Sequence, residues 1–117
     1  MNTTEKFLRY ISIDTTSSED SGESPSSMGQ FDLAKILVME FLKMGIPRED
    51  LYFDEEHCYI YARIRANTPM KLPAIGFIAH MDTSPEASGN DVRAQFVFDY
   101  DGEDIDLKAG NVLSPEV

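Results

Sequence analysis

Pro73-Ala74-Ile75-Gly76-Phe77-Ile78-Ala79-His80-Met81-Asp82-Thr83-Ser84-Pro85 is the stretch on which the architecture turns. Residues 74–79 are apolar throughout, without polar alternation, between a proline and a histidine. A short run of that kind reads as a strand covered on both faces, as in the interior of an α/β sheet. Ligands of open α/β sheets collect beyond the carboxyl ends of the strands, and His80 stands at such an end. Side chains in a strand repeat with period two, so His80 and Asp82 point the same way while the chain stays extended. A carboxylate beside an imidazole accepts the proton on one ring nitrogen, which fixes the tautomer and improves the other nitrogen as a metal ligand. His-x-Asp alone is a common pairing, and its plain reading is a hydrogen-bonded polar strand end.

Upstream, Asn2 caps a short helix with Glu5 three residues on, and Phe7, Leu8 and Ile11 share one face. Residues 14–29 are nearly all polar turn formers, which makes them a loop. Loops of that length are commonly functional or mobile. Ser27 and Gln30 have capping-box spacing at the head of a second helix. Phe31, Ala34, Leu37, Val38, Phe41 and Leu42 then follow the helical period, and Gly45 closes it ahead of Pro47. Strands are expected at Leu51 to Phe53 and at Cys58 to Ile64. Downstream, residues 96–100 and 103–107 flank Asp101-Gly102 as a β-hairpin. The fold class is α/β: two helices packed on a mixed sheet with a β-hairpin, forming a single unit over residues 1–117.

Ten Lys plus Arg against 21 Asp plus Glu give the 117-residue chain a net charge of -11. That field repels phosphate backbones and anionic lipid, which argues against nucleic-acid and membrane partners. No apolar run approaches the ~20 residues of a membrane span, and residues 1–20 lack the basic start and apolar middle of a signal peptide. A cytoplasmic location is the expectation. The one cysteine, Cys58, sits in Glu55-Glu56-His57-Cys58, which reads as a tight turn. A His-Cys pair invites a zinc reading, but the second pair of ligands at zinc-site spacing is missing. Glu55 and Glu56 disfavour a thiolate, which makes Cys58 a still weaker candidate as a nucleophile. The acidic run Asp99 to Asp106 misses the calcium-loop pattern, because Gly102 is fourth in it and not sixth.

Several blocks in order give the chain a family resemblance: Ser24-Pro25-Ser26-Ser27-Met28-Gly29-Gln30 with Phe31 to Lys35, then Leu42 to Gly45, and Ile75 to Pro85. Ser88-Gly89, Val92, Gln95, Tyr100 to Ile105 and Leu113 to Pro115 continue it. The sequence resembles the peptidase T family, the tripeptide aminopeptidases of the two-zinc exopeptidase clan. The resemblance covers nearly the whole chain and is to the N-terminal segment of the family, the first part of a zinc-exopeptidase catalytic domain. It implies that His80 is a zinc ligand and that Asp82 is the catalytic aspartate orienting it. Cys58 stands where the family usually turns with glycine, and Ala94 where proline is common.

The resemblance also implies two zinc ions, a glutamate general base and further ligands, all downstream of the matched region. Two zincs need about six to eight protein ligand atoms, which His80 and one carboxylate do not supply. Two functions are therefore expected. One is a zinc-dependent aminopeptidase that releases the N-terminal residue of tripeptides, with this chain alone inactive. The other is a non-catalytic folded fragment or interaction module that self-associates to cover unpaired strand edges. A calcium-binding module ranks below both.

Overall fold

The structure, a computed structural model, describes residues 1–107 and 110–116. The end of the unit expected over 1–117 lies outside them, as Val117 is not described.

Helix α1 (Thr3–Ile11) starts as its sequence dictates. Asn2 Oδ1 accepts from the Glu5 amide at 2.9 Å, and the Asn2 amide donates back to Glu5 Oε2 at 2.8 Å. Together these satisfy two of the donors that a helix start leaves open. Helix α2 (Gly29–Lys43) starts differently from expectation. Met28, not Ser27, is its N-cap, and no side chain caps it. Gln30 is drawn to the preceding loop instead, donating to Ser26 Oγ at 3.2 Å and to the Thr15 carbonyl at 3.5 Å. Ser27 Oγ is left buried without a partner. The end of α2 is as read. Gly45 adopts φ 94°, its amide donates to the Leu42 carbonyl, and the Ile46 amide donates to the Phe41 carbonyl, both at 3.0 Å. This paired arrangement is the Schellman stop, in which a left-handed residue lets the chain turn back on the last carbonyls.

A 3-10 turn (Arg48–Asp50) leads into strand β1 (Leu51–Asp54), which pairs antiparallel with β2 (Tyr59–Ala62) in the register Leu51 with Ala62 and Asp54 with Tyr59. Helix α2 packs on this hairpin. Phe31 meets Phe53 edge to face at 6.4 Å between centroids, and Leu33, Ala34, Leu51 and Cys58 form the buried apolar core. Tyr52 and Tyr61 stack at 5.9 Å on the exposed face.

Two buried acids tie this region together. Glu40 of α2 accepts from Tyr10 Oη at 2.5 Å and from Arg9 Nη1 at 3.2 Å, with Lys6 Nζ at 3.4 Å, so three α1 side chains converge on one carboxylate. Asp50 accepts from Arg63 Nε at 2.7 Å and from Arg65 Nε at 2.5 Å. The Tyr10 hydrogen bond comes first among the causes that hold the Glu40 carboxyl below its ordinary range, and Arg65 comes first for Asp50. Burial, reinforced by Glu40, pushes the Tyr10 hydroxyl up to about 12.

Beyond residue 64 the expected sheet is not formed. Residues 74–79 form no strand, and Phe77 and Ile78 are 95% and 101% exposed. A strand covered on both faces needs neighbours on both sides, and the described residues provide none. Among the described residues, parallel pairing occurs only as an isolated bridge, Thr16 to Thr83. The mixed sheet is replaced by two separate antiparallel pairs. The second joins β3 (Ile105–Asp106) to β4 (Val112–Leu113), so the expected hairpin over 96–107 is shifted downstream. Local side-chain bonds account for the shift. Asp99 is left-handed at φ 53°, Asp101 Oδ1 accepts from the Glu103 amide at 3.2 Å, and Tyr100 Oη donates to the Glu103 carbonyl at 2.8 Å. Such Asx-type bonds offer the backbone an alternative to the ladder. Among the described residues no helix is long and apolar enough to cross a membrane. The radius of gyration is 18.0 Å, against about 13 Å for a close-packed domain near this length.

Candidate functional site

The long loop after α1 is cross-braced. Asp14 Oδ1 accepts from Thr16 Oγ1 at 2.6 Å and from the Thr16 amide at 3.1 Å, and the Thr16 hydroxyl comes first in holding the Asp14 carboxyl below its ordinary range. Ser26 Oγ accepts from the Ser18 amide at 3.1 Å, which folds the serine-rich part of the loop back onto the head of α2. The Asp14 carbonyl lies so close to Gly29 that a side-chain carbon there would overlap it.

This loop anchors the segment that carries His80. The Ser17 amide donates to the Thr83 carbonyl at 3.0 Å, the Thr83 amide to the Thr15 carbonyl at 3.3 Å, and the Gly89 amide to Thr16 Oγ1 at 3.0 Å. Just ahead of that anchor, His80 Nδ1 lies 3.1 Å from Asp82 Oδ1 and 2.8 Å from the Asp82 carbonyl oxygen. Both neighbours are acceptors, so Nδ1 carries the proton and Nε2 keeps its lone pair in the neutral ring. The expected meeting of His80 and Asp82 is therefore formed, although it sits on an exposed segment and not at the end of a buried strand. The His80 side chain is 82% exposed.

A cleft of about 440 Å³ lies in front of this pair. Its walls come from the serine-rich loop (Glu23 to Ser26), Gln30 of α2, the β1–β2 turn (His57 to Tyr59) and residues 78–82. His57 was legible only as a turn residue, and it is one. Asp54 Oδ1 accepts from the amides of Glu56 at 3.0 Å and His57 at 3.1 Å, and Cys58 takes the left-handed conformation at φ 59°. The same turn carries His57 into the cleft wall with its Nδ1 3.0 Å from Asp54 Oδ2. The two histidines of the chain thus line one cleft, each with an aspartate on Nδ1. The His57 amide comes first among the causes that hold the Asp54 carboxyl below its ordinary range. The spacing Asp54-x-x-His57 was the signal in the sequence, since an aspartate caps a turn and meets a side chain three residues on.

Cys58 is buried at the back of the turn, and burial, not its acidic neighbours, pushes its thiol up. A raised thiol holds less of the reactive thiolate. A zinc site needs three or four protein ligands. Among the described residues no three His, Cys, Asp or Glu side chains gather where one ion could be held. His80 has the chemistry of one ligand with its supporting carboxylate, and the described residues do not complete the set.

No protein-family profile matches the chain. It is 48% identical over 97% of its length to peptidase T of Alkaliphilus oremlandii and 53% identical over 92% to that of Clostridium novyi. It is 49% identical over 95% of its length to the protein of the same name from Desulfitobacterium hafniense. The chain spans about a quarter of the length of these curated relatives: 28%, 26% and 27% in turn.

Proposed function

We propose, from the premise that nearly all of this chain is similar to part of peptidase T, that it carries part of the active site of a zinc-dependent aminopeptidase acting on tripeptides. The observation that supports this most is the Asp82–His80 pair beside the cleft, with Nδ1 engaged and Nε2 available. His80 is a zinc ligand in this reading. Asp82 is the positioning residue that holds the ring and raises the basicity of Nε2. Thr16, Thr83 and Gly89 brace the backbone on which the pair stands. When bound, zinc polarises a scissile carbonyl and lowers the pKa of a coordinated water. The remaining ligands and the general base belong, in this reading, to parts of the relatives that the chain does not span.

A second reading rests on the absence of a complete ligand group among the described residues. The chain alone then binds zinc weakly, through His80, and turns nothing over. Both readings are tested by titrating zinc into the chain while following the ring signals of its histidines by NMR. The His80 signal is expected to move, and to move less in Asp82→Ala, while incubation with trialanine and zinc releases no alanine. A His80 signal indifferent to zinc would contradict the first reading, and His80-dependent release of alanine would contradict the second.

A further inference from the structure

Ala74-Ile75-Gly76-Phe77-Ile78-Ala79 has the composition of a strand and none of a strand's bonds. It holds no proline and no charge, and Ile75, Phe77 and Ile78 are 82%, 95% and 101% exposed. Among the described residues, no hydrogen bond reaches its amides or carbonyls. An uncharged run of about six residues with high β-propensity and open backbone groups is a template for a further strand. The uncharged stretch extends from Leu72 to Met81 with His80 neutral, and it is bounded by Lys71 and Asp82.

Those two bounding residues select the occupant. Two copies lying antiparallel bring Lys71 of each to the Asp82 end of the other, so opposite charges meet at both ends. A parallel pair brings like charges together instead. Lys71 has no ion pair of its own among the described residues. We propose that a second copy of this chain docks on residues 74–79 by antiparallel strand pairing, giving a dimer. A two-fold pair of identical strands is self-complementary and closes on itself. The net charge of -11 on every copy opposes the addition of a third. Ile78 and Ala79 also line the cleft beside His80, so the second copy seats at its edge. The dimer stands or falls independently of the peptidase reading.

The test is sedimentation equilibrium of the whole chain from about 10 to 500 μM, the range expected of a small interface. The mass is expected to rise from the 13.2 kDa of one chain towards twice that value, and to rise sooner at high salt, which screens the repulsion between copies. Phe77→Lys is expected to keep the chain monomeric. It makes the net charge less negative, so added repulsion between copies is not the cause, and Phe77 is too exposed for the fold to need it. Ile64→Lys makes the same change of charge at an exposed position outside the segment and is expected to leave the dimer intact. Lys71→Glu is expected to weaken it about fivefold to tenfold, the worth of two exposed ion pairs. Amide exchange at residues 75–79 should slow as the concentration rises. A mass of one chain throughout would overturn the proposal. So would association that Phe77→Lys leaves unchanged, growth beyond the dimer, or a dimer whose amides at 75–79 exchange no more slowly. An unchanged affinity in Lys71→Glu would overturn the antiparallel arrangement.

Discussion

Leu33 and Phe77 are both large apolar side chains, and the chain treats them in opposite ways. Leu33, on α2, is 7% exposed against the hairpin, while Phe77 stands almost wholly in solvent. The contrast extends to their regions. Residues 1–64 hold two helices and one hairpin, with α1 capped at its start and α2 stopped at Gly45, a small core and two buried acids. Residues 65–104 hold no named helix or strand, and Ile75, Phe77, Ile78 and Phe98 are all exposed. The difference lies in where partners come from. A helix end or a hairpin finds its partners within a few residues, whereas an interior strand needs neighbours far away in sequence. The candidate site lies where the two regions meet, with its histidine on the open segment and its bracing on the packed one.

The largest effect is expected at the joint between the loop and α2. In Gly29→Ala the new methyl group meets the Asp14 carbonyl, and backbone cannot give way cheaply. A loss of about 3 kcal/mol is expected in denaturant melts, with weaker zinc binding at His80 as the bracing of Thr16 on Thr83 loosens. Leu33→Ala comes next, at about 2 kcal/mol for a truncated core leucine. If the packed region is the stable one, Phe77→Ala removes more atoms yet changes stability by no more than about 0.5 kcal/mol. A comparable loss for the two substitutions would dissolve the contrast.

The pH profile sharpens the same comparison with a smaller effect. In the folded chain the carboxyls of Glu40 and Asp50 are held low and the Tyr10 hydroxyl is raised to about 12. The contribution of a lowered carboxyl is complete above its unfolded value near 4 and is lost as pH falls through the lower folded value. That of Tyr10 is complete below about 10 and is lost as pH rises from there towards 12. The melting temperature should therefore fall at both ends, and Glu40→Gln should flatten both limbs, because Glu40 is the partner Tyr10 shares. An unchanged alkaline limb in that variant would remove Glu40 from the account.

What the sequence revealed follows the same division. The capping box at Asn2, the glycine stop at Gly45, the two strands near 51–54 and 59–62 and the meeting of His80 with Asp82 are all set by residues a few positions apart. The start of α2 was misread because Gln30 bonds to Thr15 and Ser26 of the loop, a tertiary preference no local spacing encodes. The strand at 74–79 and the hairpin at 96–107 were misread because pairing depends on partners that a pattern of apolar residues does not supply. His57 was read correctly as a turn residue, and its place in the cleft depends on how that turn sits beside residues 78–82.

At the centre of the proposed function stands His80 as a single pre-oriented zinc ligand, without a complete metal centre among the described residues. Zinc content after equilibrium dialysis, comparing the chain with His80→Ala, tests it most directly. The account predicts less than one zinc per chain, lost in the variant. About two zincs per chain, or zinc retained without His80, would contradict it.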